Sequence, residues 1–353
     1  MADGDEITLQ KENRAGLITL NRPKALNAFT LDMIRKREEA LKTWISDPHI
    51  YGVVQNSAVD NVFSVGGDLR AIYEWKQRGA PELIGVFREE YQQNWHLEMF
   101  KKPTVSLVDG LVMGGGVGMT IYGTHFVAGE NTRFAMPETG IGFFPDVGAS
   151  YFLSQLPGKL GLYMGLTGYV ADAADLYFLD IATHVIANKH YDAIREAMIE
   201  ADPIDDVLEE LHDDPGPAAL AQRQQVIDRI FSRNSVENIL EALDRETGEH
   251  AEWAQETAQT LRQKAPISLK VTFRLLQDRA SNTSLKAAFQ TDFRLASRFI
   301  QDDNLFEGIR ALLIDKDKEP KWQPARLEDI TDDMVDRYFE GLGGEELELT
   351  DLN

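Results

Sequence analysis

Thr104-Val105-Ser106-Leu107-Val108-Asp109-Gly110-Leu111-Val112-Met113-Gly114-Gly115-Gly116-Val117-Gly118 is the stretch from which the rest of the chain is read. A β-rich run, Thr104 to Val108, leads to four glycines in five residues at the start of a helical segment. Glycine at that density weakens regular structure unless the backbone needs φ > 0 or must approach a ligand closely. A dinucleotide fingerprint fails, because Met119 stands where the third glycine of G-x-G-x-x-G would fall. A P-loop fails for want of Lys followed by Ser or Thr. Two readings stay open: a helix N-terminus whose free amides suit an oxyanion, or tight helix packing.

Working outward, Ile7 to Leu9 and Leu17 to Leu20 flank the polar turn Asn13 to Gly16 and read as a hairpin. Thr30 caps a helix whose apolar positions Met33, Ile34, Ala40, Leu41 and Trp44 keep helical spacing to Ser46. Tyr51 to Gln55 reads as a strand, and helical segments over 69–78 and 83–100 separate it from Thr104. Further strands are expected at Phe126 to Ala128 and Thr132 to Phe134, so the first half is α/β. After Ala187 strand signals vanish and amphipathic helices follow, broken at Asp213-Asp214-Pro215-Gly216-Pro217. The expected organisation is a core over 1–200, a helical region over 201–340 and an acidic tail, 341–353, that is a candidate for disorder.

Composition narrows the function classes. The chain has 353 residues, 43% of them hydrophobic, enough for one large domain with a full core or for a core domain with a helical appendage. No apolar run reaches the length of about eighteen residues that suggests a membrane helix. The start is acidic where leader peptides are basic, so a cytosolic protein is expected. Cysteine is absent, which excludes disulfides, a thiolate nucleophile and thiolate metal ligands. The net charge of -22 disfavours nucleic acid and anionic lipid as partners, and much of it lies in solvated stretches such as Asp205-Asp206 and 340–351.

Two further stretches carry chemistry. Phe63-Ser64-Val65-Gly66-Gly67-Asp68-Leu69 is a glycine pair leading into a helix, in which Asp68 is also a natural N-cap. Met136 to Gly148 holds two carboxylates, Glu138 and Asp146, among Phe, Pro and Gly residues. Burial there raises a carboxyl pKa, as acid-base work at neutral pH requires, although caps or surface acids fit equally. Gly148-Ala149-Ser150-Tyr151-Phe152 lacks the last glycine of a nucleophile elbow, and Ser150 reads as structural. His49, His96, His125 and His184 show no metal-ligand spacing.

Asn21-Arg22-Pro23-Lys24-Ala25-Leu26-Asn27-Ala28, the loop Phe63 to Asp68 and Gly110 to Gly118, taken in order, resemble the crotonase, or enoyl-CoA hydratase/isomerase, superfamily. The resemblance implies a spiral of ββα turns with a helical C-terminal region, a CoA pocket, and an oxyanion hole from the Gly67 and Gly115 amides. One departure refines it: hydratases carry a catalytic glutamate two residues after the glycine triplet, where this chain has Gly118. Phe87 to Tyr91, Met136 to Thr139, Phe144 to Gly148, Phe306 to Ala311 and Ile314 to Asp317 with Pro320-Lys321-Trp322 resemble the 3-hydroxyisobutyryl-CoA hydrolase branch instead.

That resemblance implies an acyl-CoA substrate and no cofactor beyond the CoA it carries. Glu138 is expected as base or nucleophile, Asp146 as proton carrier and Glu90 as partner of the substrate hydroxyl. Gly66 and Gly114 are expected to line the same site. Lys24, with Arg70 and Lys316 as further candidates, is expected to hold the CoA phosphates; a plain surface role is the alternative for each. A hydratase or isomerase working with Glu138 alone is a rival reading, as is a non-catalytic binding or assembly protein on the same fold. Neither metal nor membrane is expected, and a homo-oligomer is left open.

Overall fold

The computed structural model describes residues 5–278 and 282–352. Its strands fall into two sheets. The first runs β1 (Ile7–Glu12), β2 (Ala15–Leu20), β3 (Gly52–Ser57), β5 (Thr104–Val108), β7 (His125–Ala128), β9 (His184–Val185); the second runs β4 (Val62–Ser64), β6 (Leu111–Met113), β8 (Arg133–Ala135). Among the described strand pairs, only β1 with β2 is antiparallel, the hairpin expected around Asn13 to Gly16. All other pairings are parallel.

Successive strand pairs share one plan. β3 and β4, β5 and β6, β7 and β8 each send a first strand to the large sheet and a second to the small one. Each pair then passes into helical backbone, so the chain climbs a spiral of ββα turns, the fold class expected. Gly110 makes one link between sheets: at φ +89° a Cβ there would lie 1.8 Å from the Asn61 carbonyl carbon. The central parallel strands β5 and β7 are buried on both faces, which explains near-continuous apolar runs such as Thr104 to Val108.

Four helices of the first half frame the site: α1 (Leu31–Ser46), α2 (Leu69–Arg78), α3 (Glu82–Glu98) and α4 (Gly115–Gly118). Thr30 Oγ1 accepts from Met33 N at 3.2 Å, and Asp68 Oδ1 accepts from Arg70 N and Ala71 N, so both expected caps form. After β9, among the described residues, the chain is helical, and Ala265, Leu269, Phe289, Phe293 and Leu305 join the core from that half. No described helix is long and apolar enough to cross a membrane.

The tail corrects an expectation. Leu347 and Leu349 are buried, Glu346 pairs with Arg294 at 2.8 Å, and Thr350 and Gln92 exchange hydrogen bonds of 3.0 and 2.8 Å. Composition suggests disorder because it counts acids. It overlooks the alternation Leu347-Glu348-Leu349-Thr350, which turns leucines into the core and leaves Glu348 exposed.

Candidate active site

A cleft of about 1250 Å³ opens between the loop 21–28, the two glycine loops and the segment 305–316. Every residue expected at the site lines it: Lys24, Gly66, Gly67, Arg70, Glu90, Gly114, Gly115, Glu138, Asp146 and Lys316.

The loop 21–28 is built before it is functional. Asn27, fully buried at φ +53°, bonds Arg22 N, Ser57 Oγ and Phe63 O, tying the loop to the start of β4. Arg22 is held by Glu6 at 2.7 Å and Asp68 at 2.8 Å. Of the cations in this wall, Lys24 is thus the more exposed to an incoming ligand.

Two amides are kept open by their neighbours. Phe29 N donates to Gly66 O and Asp68 N to Phe29 O, which uses the groups on either side of Gly67 N. The Gly66 amide is taken by Ser64 Oγ at 3.1 Å and the Gly114 amide by Ala135 O at 3.2 Å. Among the described residues, the Gly67 and Gly115 amides have no protein acceptor. The loops touch, since a Cβ on Gly66 would lie 3.0 Å from Gly115 N. Gly66, at φ +93°, and Gly114 therefore shape the wall, while Gly67 and Gly115 offer its donors.

Three carboxyl groups close the inner end. Glu90 comes from α3, Glu138 from a 3₁₀ turn Glu138–Ile141, and Asp146 from the loop that follows. They are 7%, 6% and 6% exposed. A Cβ on Gly115 would lie 2.4 Å from Glu90 Oε1, and one on Gly114 2.7 Å from Glu138 Oε1, so the two glutamates flank the glycine run. Tyr91 donates its hydroxyl to Asp146 Oδ2 at 2.7 Å. Burial, then the charge of Asp146, pushes both Glu90 and Glu138 well above the usual carboxylate range. Burial also raises Asp146, which the Tyr91 hydrogen bond brings back to about 7.

Gly118 is a closed position. A Cβ there would meet Asn94 Nδ2 at 2.5 Å and Val147 Cβ at 2.9 Å, both buried, so a glutamate side chain has no room. At the outer end Lys24, Arg70 and Lys316 are exposed, and Arg70 also bonds Leu313 O at 2.7 Å. No group of His, Asp and Glu among the described residues is arranged to hold a metal ion.

Sequence reasoning missed the role of Tyr91 and, in the apolar wall that Phe87 and Phe143 share, the place of Leu305. Tyr91 had a signal, since it follows Glu90 in the recognised run Phe87 to Tyr91. Leu305 had none, because its place depends on packing across most of the chain.

The family model for enoyl-CoA hydratase/isomerase matches residues 15–339. The 3-hydroxyisobutyryl-CoA hydrolase, mitochondrial, of Xenopus tropicalis is 41% identical, over 98% of this chain and 91% of its own length. The human protein of the same name is 39% identical, over 97% and 90%. Those names say mitochondrial, which lends no support to the cytosolic expectation. Among solved structures, a carnitinyl-CoA dehydratase from Mycobacterium thermoresistibile is 35% identical with a TM-score of 0.90, covering 98% of this chain and 99% of that one. An enoyl-CoA hydratase from Rhodobacter sphaeroides is 32% identical with a TM-score of 0.91, covering 98% and 100%. Sequence and architecture agree over nearly the whole length, and the chain belongs to the enoyl-CoA hydratase/isomerase family, together with the 3-hydroxyisobutyryl-CoA hydrolases.

Proposed function

We propose that this chain hydrolyses 3-hydroxyisobutyryl-CoA to 3-hydroxyisobutyrate and CoA, with no cofactor beyond the CoA of the substrate. The carrying observation is the closed position at Gly118 beside a complete amide pair and buried carboxyl trio. Solved relatives titled dehydratase or hydratase suggest addition or removal of water at a carbon–carbon bond. That chemistry in the crotonase pattern uses a second glutamate at the position of Gly118, and here Asn94 and Val147 fill the space. The curated relatives that carry the hydrolase name point the same way.

In this reading the thioester oxygen accepts from the Gly67 and Gly115 amides, which carry the negative charge that develops as the carbonyl is attacked. Glu138 takes a proton from water as the water oxygen attacks, or attacks itself to give an anhydride that water then opens. The carbon–sulfur bond breaks, and Asp146 returns a proton to the departing thiolate. Its pKa of about 7 suits a group that must both gain and lose a proton near neutrality. Glu90 hydrogen-bonds the substrate hydroxyl. Lys24, Arg70 and Lys316 meet the CoA phosphates at the mouth, where local cations offset the overall acidity.

The test is thiol release over a panel of short acyl-CoA esters, with and without chelator. Turnover of the 3-hydroxyisobutyryl ester without added metal supports the reading. Turnover of no ester in the panel would favour a silent binding protein instead.

A further inference from the structure

The loop that carries Asp146 holds an outlier. Val147, fully buried and β-branched, sits at φ +51°, and Gly148 follows at φ +76°. A left-handed valine is disfavoured by its own side chain and persists only where the surroundings over-determine it. Here both polar groups of the Val147–Gly148 peptide are held. Its carbonyl accepts the Tyr122 hydroxyl at 2.5 Å, and its N–H donates to Asp292 Oδ2 at 2.6 Å. Tyr122 comes from the segment after α4, and Asp292 from the helix Leu285–Phe299, 144 residues beyond Gly148.

The same helix also aligns the other contacts of the loop. Phe289, one turn before Asp292, packs on Tyr91 at 5.9 Å between ring centroids and on Tyr122 at 5.6 Å. Tyr91 grips the Asp146 carboxyl directly. The Val147–Gly148 peptide, one residue beyond Asp146, and the carboxyl itself are therefore fixed by three side chains gathered around one C-terminal helix. Buried ionisable groups are uncommon without a partner or a task, and Asp292 is completely buried with Oδ1 unpartnered among the described residues.

We propose that Tyr122 and Asp292 are positioning residues for Asp146, clamping the strained Val147–Gly148 peptide so that this carboxyl faces the reacting carbonyl. The inference rests on the hydrolase reading above. What Asp292 supplies is an acceptor for the Gly148 amide rather than a charge. Burial and the neighbouring Asp146 push its pKa well above the ordinary range, which favours the neutral form. Asparagine retains that acceptor and alanine does not.

The experiment compares D292A, D292N and Y122F with the unmodified chain in thiol release from 3-hydroxyisobutyryl-CoA, with thermal unfolding measured alongside. D292A and Y122F are expected to lower kcat by about 10- to 30-fold while KM stays within about threefold, because positioning errors fall on the chemical step. D292N is expected to restore kcat to within about threefold. The proposal is overturned if folded D292A keeps more than half the unmodified kcat, if D292N falls as far as D292A, or if KM rises in place of the kcat loss. If D292A fails to fold, Y122F decides alone, since it removes one hydroxyl from the opposite face of the same peptide. An unmodified chain without thioesterase activity would sink the functional reading. An active chain disabled by D146N yet indifferent to Y122F and D292A would sink only the clamp.

Discussion

The two ends of the cleft carry similar numbers of charged groups under opposite conditions. At the inner end Glu90, Glu138 and Asp146 are buried and crowd one another; at the mouth Lys24, Arg70 and Lys316 stand in water. Inside, desolvation raises every carboxyl, and the charge of Asp146 raises Glu90 and Glu138 further, so burial and neighbours set each protonation state. Outside, water and salt screen each cation, and a contact with ligand is worth little by itself. The contrast ranks the substitutions: inner groups are expected to control turnover and outer ones to adjust affinity.

The largest effect belongs to Glu138. E138Q keeps size and removes the base or nucleophile, and kcat is expected to fall by about 10²–10⁴-fold with substrate still bound. The same variant is expected to be more stable at pH 8. A carboxyl whose folded pKa is raised contributes stability that is present below its unfolded pKa and lost as pH rises through the folded one. Glutamine never ionises, so the gain in Tm should shrink as pH is lowered toward the ordinary glutamate range. Retention of more than half the rate, where chemistry limits, would assign Glu138 to structure.

Reaction class comes second. With Gly118 closed, thiol release from 3-hydroxyisobutyryl-CoA is expected to exceed loss of the crotonyl-CoA enone by at least about 100-fold in kcat/KM, roughly 2.7 kcal/mol in barrier. The reverse ranking would mean that another inner carboxyl, Glu90 first, stands in for the missing glutamate.

The two ends also differ in how far the chain announced them. The amide pair was legible because glycine density has few physical excuses, and Gly67 and Gly115 lie in such runs. Glu138 and Asp146 were visible among apolar residues, but burial is a tertiary fact. The segments 266–277 and 285–299, which pack at that end, gave no signal beyond helical periodicity. β4 and β6 were not read as strands, since three residues are too few for a period of two to declare itself. Tyr122 and Asp292 act through backbone distant in sequence, which no local pattern encodes.

A third expectation probes the inner end more gently. The Tyr91 hydroxyl donates to the Asp146 carboxylate and so favours its ionised form. Y91F removes that donor, which raises the Asp146 pKa. The limb of the kcat profile belonging to Asp146, near pH 7, should move to higher pH whether Asp146 gives or takes the proton. A limb that stays in place would belong to another group.

The smallest expected effect lies at the mouth and separates the two ends most cleanly. Lys24 is exposed, beside Pro23 at the rim, on a loop that Asn27 ties to β4. Its truncation should therefore leave the inner geometry untouched. An exposed ion pair is typically worth about 0.2–1 kcal/mol, so K24A should raise KM for the CoA ester by roughly 1.5- to 5-fold with kcat unchanged. Screening reaches within about 8 Å at physiological salt and about 3 Å at 1 M, so the gap between K24A and the unmodified chain should narrow as salt is added. A thioester with a short thiol in place of CoA lacks the phosphates and should not distinguish the two proteins. If K24A instead lowered kcat at constant KM, or the difference survived high salt, the mouth would be coupled to the chemistry and the division between the two ends would fail.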